Sequence, residues 1–250
     1  MKDTELYGRL LGLGSPWYVR EVRYESAPER IAVYVDHVAG MEMPCPVCGR
    51  YSGVYDHLPE RQWQHLPTCQ VPTFVHARLP RIRCVEHGVR SVLSDWSEPG
   101  AEITRALECH LIDLEKECSI EGVSRLSGVS WDRCWGVLER AVVRGLQRKE
   151  WKLPAHLGVD EKAFGRGQDY ETVVCDLEKR VVEFVGDGRR QESLEEYFWP
   201  FNEEERAGVV SICLDMWKPY IATLQAVIPG AEDKMVFDKF HVMSLLNEAV

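Results

Sequence analysis

Cys45-Pro46-Val47-Cys48-Gly49 and Cys84-Val85-Glu86-His87-Gly88 are two pairs of metal-ligand side chains at the same spacing, each followed by glycine. Each pair can grip one side of a tetrahedral ion, and a set of three thiolates and one imidazole is a closed structural zinc site. A glycine after each pair suits a knuckle whose backbone amides turn toward the sulfurs. Such a site does no chemistry. It holds together a segment too small to bury a sufficient core of its own. The competing reading is core cysteines beside a surface histidine. Cys69 could substitute as a ligand but has no paired neighbour, and His57, His65 and His76 read as surface or packing residues.

A second constellation is acidic. Asp160 ends the apolar run 157–159, and Asp215 ends the run 209–214. Asp238 follows a third short run, 235–237. Carboxylates on the ends of neighbouring strands can share divalent ions, one activating an attacking oxygen and the other stabilising the leaving oxygen. Magnesium suits such a site, since it takes a few carboxylates plus substrate phosphate, and manganese is the other ion expected. Glu161 points to the opposite face from Asp160 if its strand continues. Aspartates at strand ends are also common turn residues, and Asp176 and Asp187 are read as that. His241 either orients a carboxylate or DNA, or packs at the start of a helix.

Between the two sets lies a basic helical stretch. Residues 119–126 predict a short helix, 127–129 a turn, and Ser130 a cap for a helix that starts at Trp131. A helix-turn-helix places its second helix in a major groove. Arg125, Arg133, Arg140 and Arg144 are the side chains expected to meet DNA. A plain helical hairpin has the same pattern.

The elements around these residues fall into segments. Residues 1–40 form a lead-in whose stretch 18–38 alternates as strands do, and 41–98 is rich in Cys, His and Pro with short β pieces. Residues 99–152 carry apolar side chains at helical spacing, and 153–250 read as strand, strand, strand, helix, strand, helix, strand, helix. The expected fold class is therefore α+β and multidomain: a small zinc-binding β module, a helical domain, then an α/β domain. Apolar residues are 45% and charged residues 28% of the chain, which excludes a disordered tail. No apolar run approaches the ~20 residues that cross a bilayer, and no signal peptide is visible. A soluble cytoplasmic protein is expected, with no membrane partner. Nine cysteines at irregular spacing argue against a secreted disulfide scaffold. The net charge of −10 hides an asymmetry. Residues 121–152 hold seven basic and four acidic side chains, whereas 153–250 hold ten basic and nineteen acidic. Local neutralisation decides affinity for phosphates, so a basic face can work on an acidic chain.

Taken in order, these motifs resemble transposases of the bacterial insertion-sequence family called ISL-three. The likeness runs over 44–250. It rests on Cys-Pro-Val-Cys-Gly at 45–49, His-Ala-Arg-Leu-Pro-Arg-Ile-Arg-Cys at 76–84 and Glu-His-Gly-Val-Arg at 86–90. It continues through Gly-Val-Asp-Glu at 158–161, Leu-Asp-Met-Trp-Lys-Pro-Tyr at 214–220, Ile-Pro-Gly-Ala at 228–231 and Phe-Asp-Lys-Phe-His-Val at 237–242. The resemblance implies a zinc-binding module, a helix-turn-helix and a ribonuclease-H-like catalytic domain. It makes Asp160 and Asp215 catalytic aspartates and Asp238 a neighbouring acid. It implies metal-dependent cleavage at transposon ends and strand transfer. The partners implied are double-stranded DNA, the terminal inverted repeats, and further copies of the chain on that DNA, in a nucleoid-associated setting.

Such enzymes also need a glutamate from a late helix. The chain stops at Val250 with only Glu248 remaining there. An incomplete catalytic domain is therefore expected, with an apolar sheet face exposed unless something covers it. The alternative function is a truncated, catalytically inactive DNA-binding protein that regulates transposition.

Overall fold

The structure, a computed structural model, describes residues 1–163, 169–237 and 243. Asp238, His241, Glu248 and the start of the helix expected from Phe240 lie outside the described residues. The chain divides into two units, Met1–Lys149 and Glu150–Val250.

Strand alternation builds most of the first unit. Helix α1 (Asp3–Leu10) leads into the hairpin of β1 (Trp17–Ser26) and β2 (Glu29–His37). Then come β3 (Met43–Pro44), β4 (Tyr51–Ser52), β5 (Val54–His57), β6 (Arg61–Thr68), β7 (Val71–Ala77), β8 (Pro80–Cys84) and β9 (Gly88–Ser91). One sheet has the order β1-β2-β7-β6, in which β2 runs parallel to β7 with Ile31 beside Thr73. The lead-in is thus half of a sheet completed by residues 61–77. The other strands form a small β3–β4 hairpin and a three-stranded sheet β5-β8-β9. Inward residues from these pieces share one core, where Trp96 meets Trp17 and Trp63 edge-on at 5.1 and 5.4 Å. Edge-to-face contacts of this kind add about 0.5–1.5 kcal/mol to the area buried.

Three helices follow: α2 (Arg105–Glu115), α3 (Ile120–Ser127) and α4 (Trp131–Gln147). Leu107, Leu111, Val123, Cys134 and Val137 bury together because they recur at three- and four-residue steps. Thr104 caps α2 by accepting the Leu107 amide at 3.4 Å, and its hydroxyl also meets His65 Nδ1 at 2.8 Å, tying α2 to β6. Ser119 caps α3 through Gly122. Ser130 occupies the cap position of α4, but its side chain makes no capping hydrogen bond, contrary to the expectation from sequence. Its backbone carbonyl instead accepts from Arg133 and Cys134.

The second unit is a mixed sheet with helices. Its elements are β10 (His156–Ala163), β11 (Tyr170–Asp176), β12 (Val181–Asp187), α5 (Gln191–Phe198), α6 (Glu203–Ala207), β13 (Ser211–Leu214), α7 (Lys218–Val227), α8 (Ala231–Lys234) and β14 (Met235–Phe237). The strand order is β12-β11-β10-β13-β14. The first three are antiparallel neighbours, and β13 lies parallel to both β10 and β14. Leu157, Val159, Val174, Ile212 and Leu214 bury against Leu194, Tyr197, Tyr220 and Leu224 of α5 and α7. On the other face, Val182, Val185 and Val236 remain about half exposed. No helix among the described residues is long and apolar enough to cross a membrane.

Candidate metal centres

The β3–β4 hairpin carries Cys45 and Cys48 on its turn, and the β8–β9 hairpin carries Cys84 and His87. In each turn the glycine after the pair has positive φ, +73° at Gly49 and +66° at Gly88, a conformation that a β-carbon would strain. The three sulfurs and a ring nitrogen of His87 lie within 4.8 Å of one another. Cys48 Sγ is 3.7 Å from Cys84 Sγ, and His87 Nδ1 is 3.6 Å from Cys84 Sγ and 3.9 Å from Cys45 Sγ. A tetrahedron with zinc–sulfur arms of ~2.3 Å has edges of roughly 3.8 Å, so the cluster has the size of a zinc cage.

The local electrostatics fit a cation. Backbone amides of Cys48 and Val47 hold the Cys45 thiol below its ordinary pKa. The His87 side chain, with the His87 and Glu86 amides, does the same for Cys84. At Cys48 the Arg50 amide favours the thiolate. Burial and the thiols of Cys84 and Cys45 outweigh it, and the pKa is raised. Three thiolates can coexist here only around a positive charge.

Cys69 stands apart, exposed on the β6–β7 turn. His57, His65 and His76 pack rather than ligate. His65 bonds Thr104, His76 stacks on Tyr34 at 5.0 Å, and His57 stacks on His37 at 5.1 Å.

In the second unit, register brings the acids to one place. Val159 of β10 is paired with Leu214 of the parallel β13, and the next residues on the two strands are Asp160 and Asp215. Leu157 and Val159 face the helices, so alternation turns Asp160 to the opposite face. Asp160 Oδ1 accepts the Glu161 amide at 2.9 Å, and Asp215 Oδ1 accepts the Trp217 amide at 2.9 Å. Glu161 turns to the helix side and pairs with Arg189 at 3.7 Å. The negative field of this corner reaches Tyr220. Burial first, then Glu161, Asp215 and Asp160, push its hydroxyl up to about 12 against the effect of its hydrogen bond with Thr172. Asp176 is a turn residue, accepting the amides of Glu178 and Lys179.

Two family models match the segments that carry these side chains. The model of a family described as the zinc-finger of transposase IS204/IS1001/IS1096/IS1165 matches residues 42–87. The ISL-three model described as transposase matches residues 157–250. Two segments of the chain are thus similar to ISL-three transposases, in the order zinc-finger and then transposase domain. It is 25% identical over 264 residues to the transposase for insertion sequence element IS1557 of Mycobacterium tuberculosis. It is 26% identical over 243 residues to the transposase for insertion sequence element IS1001 of Bordetella parapertussis. These alignments cover 100% and 96% of the chain but 57% and 59% of the relatives, so the chain spans less than two thirds of their length.

The arginines of the helical segment are less available to DNA than their sequence suggests. Arg140 and Arg144 on α4 both reach Glu108 of α2, at 3.1 and 2.9 Å, and Glu108 is 3% exposed. Arg133 pairs with Glu102. Arg125 is exposed at the end of α3. The ion triad has a consequence for stability. Glu108→Ala is expected to destabilise the first unit by about 2 kcal/mol in urea melts. This is below the 3–5 kcal/mol of a fully buried pair, because both guanidiniums keep water on one side. An unchanged midpoint would show that the triad carries no net stability.

Sequence reading missed Glu108, Arg189 and Trp217. Glu108 carried no local signal, because its two arginines lie 32 and 36 residues further along. Trp217 had one, since it stands inside the Trp-Lys-Pro-Tyr stretch that carried the resemblance.

Proposed function

We propose that the chain is part of a DNA transposase of a bacterial insertion sequence. In this reading the second unit is an incomplete ribonuclease-H-like domain, the helices α3 and α4 are a helix-turn-helix, and Asp160 and Asp215 are the catalytic centre. The observation that carries it is the parallel register of β10 and β13, which delivers Asp160 and Asp215 to adjacent positions. The relatives reported above are transposases, which favours an enzyme over a regulator of transposition.

Each residue then has a task. Asp160 and Asp215 would hold magnesium or manganese, with Asp238 a further acid of the same centre by resemblance. Each fixes one carboxylate oxygen on a backbone amide, which orients the other for an ion. When bound, the metal supplies activation of the attacking oxygen and stabilisation of the leaving oxygen. Cys45, Cys48, Cys84 and His87 would hold structural zinc and so keep two hairpins in place. Arg125 is the first candidate for DNA contact, with Arg133. Arg140 and Arg144 join it only by leaving Glu108. The ligand is double-stranded DNA at the element's terminal inverted repeats, bound by more than one copy in the bacterial cytoplasm at the nucleoid.

Nuclease footprinting on the element's own ends tests this reading. Protection of the terminal repeats is expected at concentrations that leave random DNA open. Equal protection of both would contradict it.

A further inference from the structure

A groove of about 560 Å³ in the second unit is walled by Trp217, whose amide holds Asp215, and has a charge opposite to its surroundings. Residues 153–250 are strongly acidic, yet Arg189, Arg190 and Lys218 converge on this groove beside Trp217, with Glu192 its single acid. Local sequence explains the convergence. The chain leaves β12 through a turn at Gly188, so Arg189 and Arg190 stand at the entrance to α5. Lys218 begins α7, three residues after Asp215.

Trp217 ties these pieces together. Its amide donates to Asp215 Oδ1 at 2.9 Å, and its indole N–H donates to the Arg189 carbonyl at 3.0 Å. The Arg189 guanidinium lies over Tyr170 at 4.1 Å and over Trp217 at 4.7 Å, and reaches Glu161 at 3.7 Å. Arg189 is therefore committed to holding the loop. Arg190 and Lys218 are exposed and make no ion pair among the described residues. Two unpaired cations in an open groove cost little to bring to an anion, and they gain most from one that is polymeric and dense in charge. The first-turn amides of α5 and α7 add to the positive potential at the same place.

We propose that this groove is a phosphodiester subsite: Arg190 and Lys218 hold a DNA backbone phosphate next to the corner formed by Asp160 and Asp215. The inference rests on the transposase reading and deepens it. It names side chains that carry the strand to the metal centre, separate from the arginines of the helical segment. Trp217 forms the wall between subsite and carboxylate, so a phosphate held there stays in register with the acids.

The test is a binding titration of the zinc-loaded chain against a short fluorescent duplex of generic sequence. Calcium replaces magnesium, and the salt concentration is varied. Arg190→Gln and Lys218→Gln are compared with Arg180→Gln, an exposed cation of the same sheet on the far β11–β12 turn. Each groove variant should bind roughly fivefold more weakly at low salt and lower the slope of log K against log salt by about 0.9. The Arg180→Gln control should match the unsubstituted chain, and all should melt alike. If the groove variants keep the affinity and slope of the control, the subsite is wrong while DNA binding by the chain stands. If the unsubstituted chain does not bind the duplex at all, the subsite and the transposase reading fail together.

Discussion

Asp160→Asn in the intact transposase is expected to lower metal-dependent cleavage of the element's ends by at least about a thousandfold, ~4 kcal/mol of transition-state stabilisation, while end binding persists. The reason is local. The asparagine keeps the oxygen that accepts the Glu161 amide, so β10 loses no backbone contact. What it loses is the charged oxygen proposed to hold the ion, at the position next to Asp215. Magnesium dehydrates reluctantly and relies on carboxylate charge, so a neutral amide is a poor replacement. Asp215→Asn should behave alike, because its Oδ1 contact to Trp217 survives. Gel assays of end cleavage and end binding separate the two properties. Retained cleavage in both variants would remove these aspartates from the mechanism, and parallel loss of binding would point to misfolding.

Zinc removal should have the largest effect on the first unit. The apparent binding energy of structural zinc in small domains is ~10–16 kcal/mol, and the β3–β4 hairpin is far too short to persist without it. The larger core around Trp17, Trp63 and Trp96 does not depend on the metal in the same way. Chelation, or Cys48→Ala, is therefore expected to unfold the two hairpins first and to lower the melting temperature of the unit. One zinc per chain should be found by elemental analysis. Because protons compete with the ion for the thiolates, affinity should fall as pH is lowered. A metal content well below one per chain after purification with added zinc would contradict the assignment, as would a Cys48→Ala variant that melts like the unsubstituted chain.

Much of this site could be read from short segments, and what could not shares one cause. The paired spacing of Cys45 with Cys48 and of Cys84 with His87 reports a turn, and turns are local. Asp160 and Asp215 stand out because each follows a short apolar run, also a local pattern, although β10 continues three residues past Asp160 to Ala163. Their mutual register is not local, since it depends on a parallel pairing across more than fifty residues. The same is true of β2 beside β7, which turns the first forty residues from a lead-in into half of a sheet. The arginines show the cost of ignoring distance. Arg140 and Arg144 look free on their own helix, yet Glu108 lies 32 and 36 residues earlier and takes both. Ser130 is the reverse case, a residue type suited to capping whose hydroxyl makes no capping bond in three dimensions.

Iron-directed hydroxyl-radical cleavage of the polypeptide would map the acidic centre directly. Ferrous iron accepts the same oxygen ligands as magnesium and cuts the backbone nearest to it when ascorbate and peroxide are added. Cuts are expected around Asp160 on β10 and between Asp215 and the start of α7, both suppressed by excess magnesium and by Asp160→Asn. Cuts that fall elsewhere in the second unit, or that persist unchanged in Asp160→Asn, would show that the two aspartates do not form a common metal site.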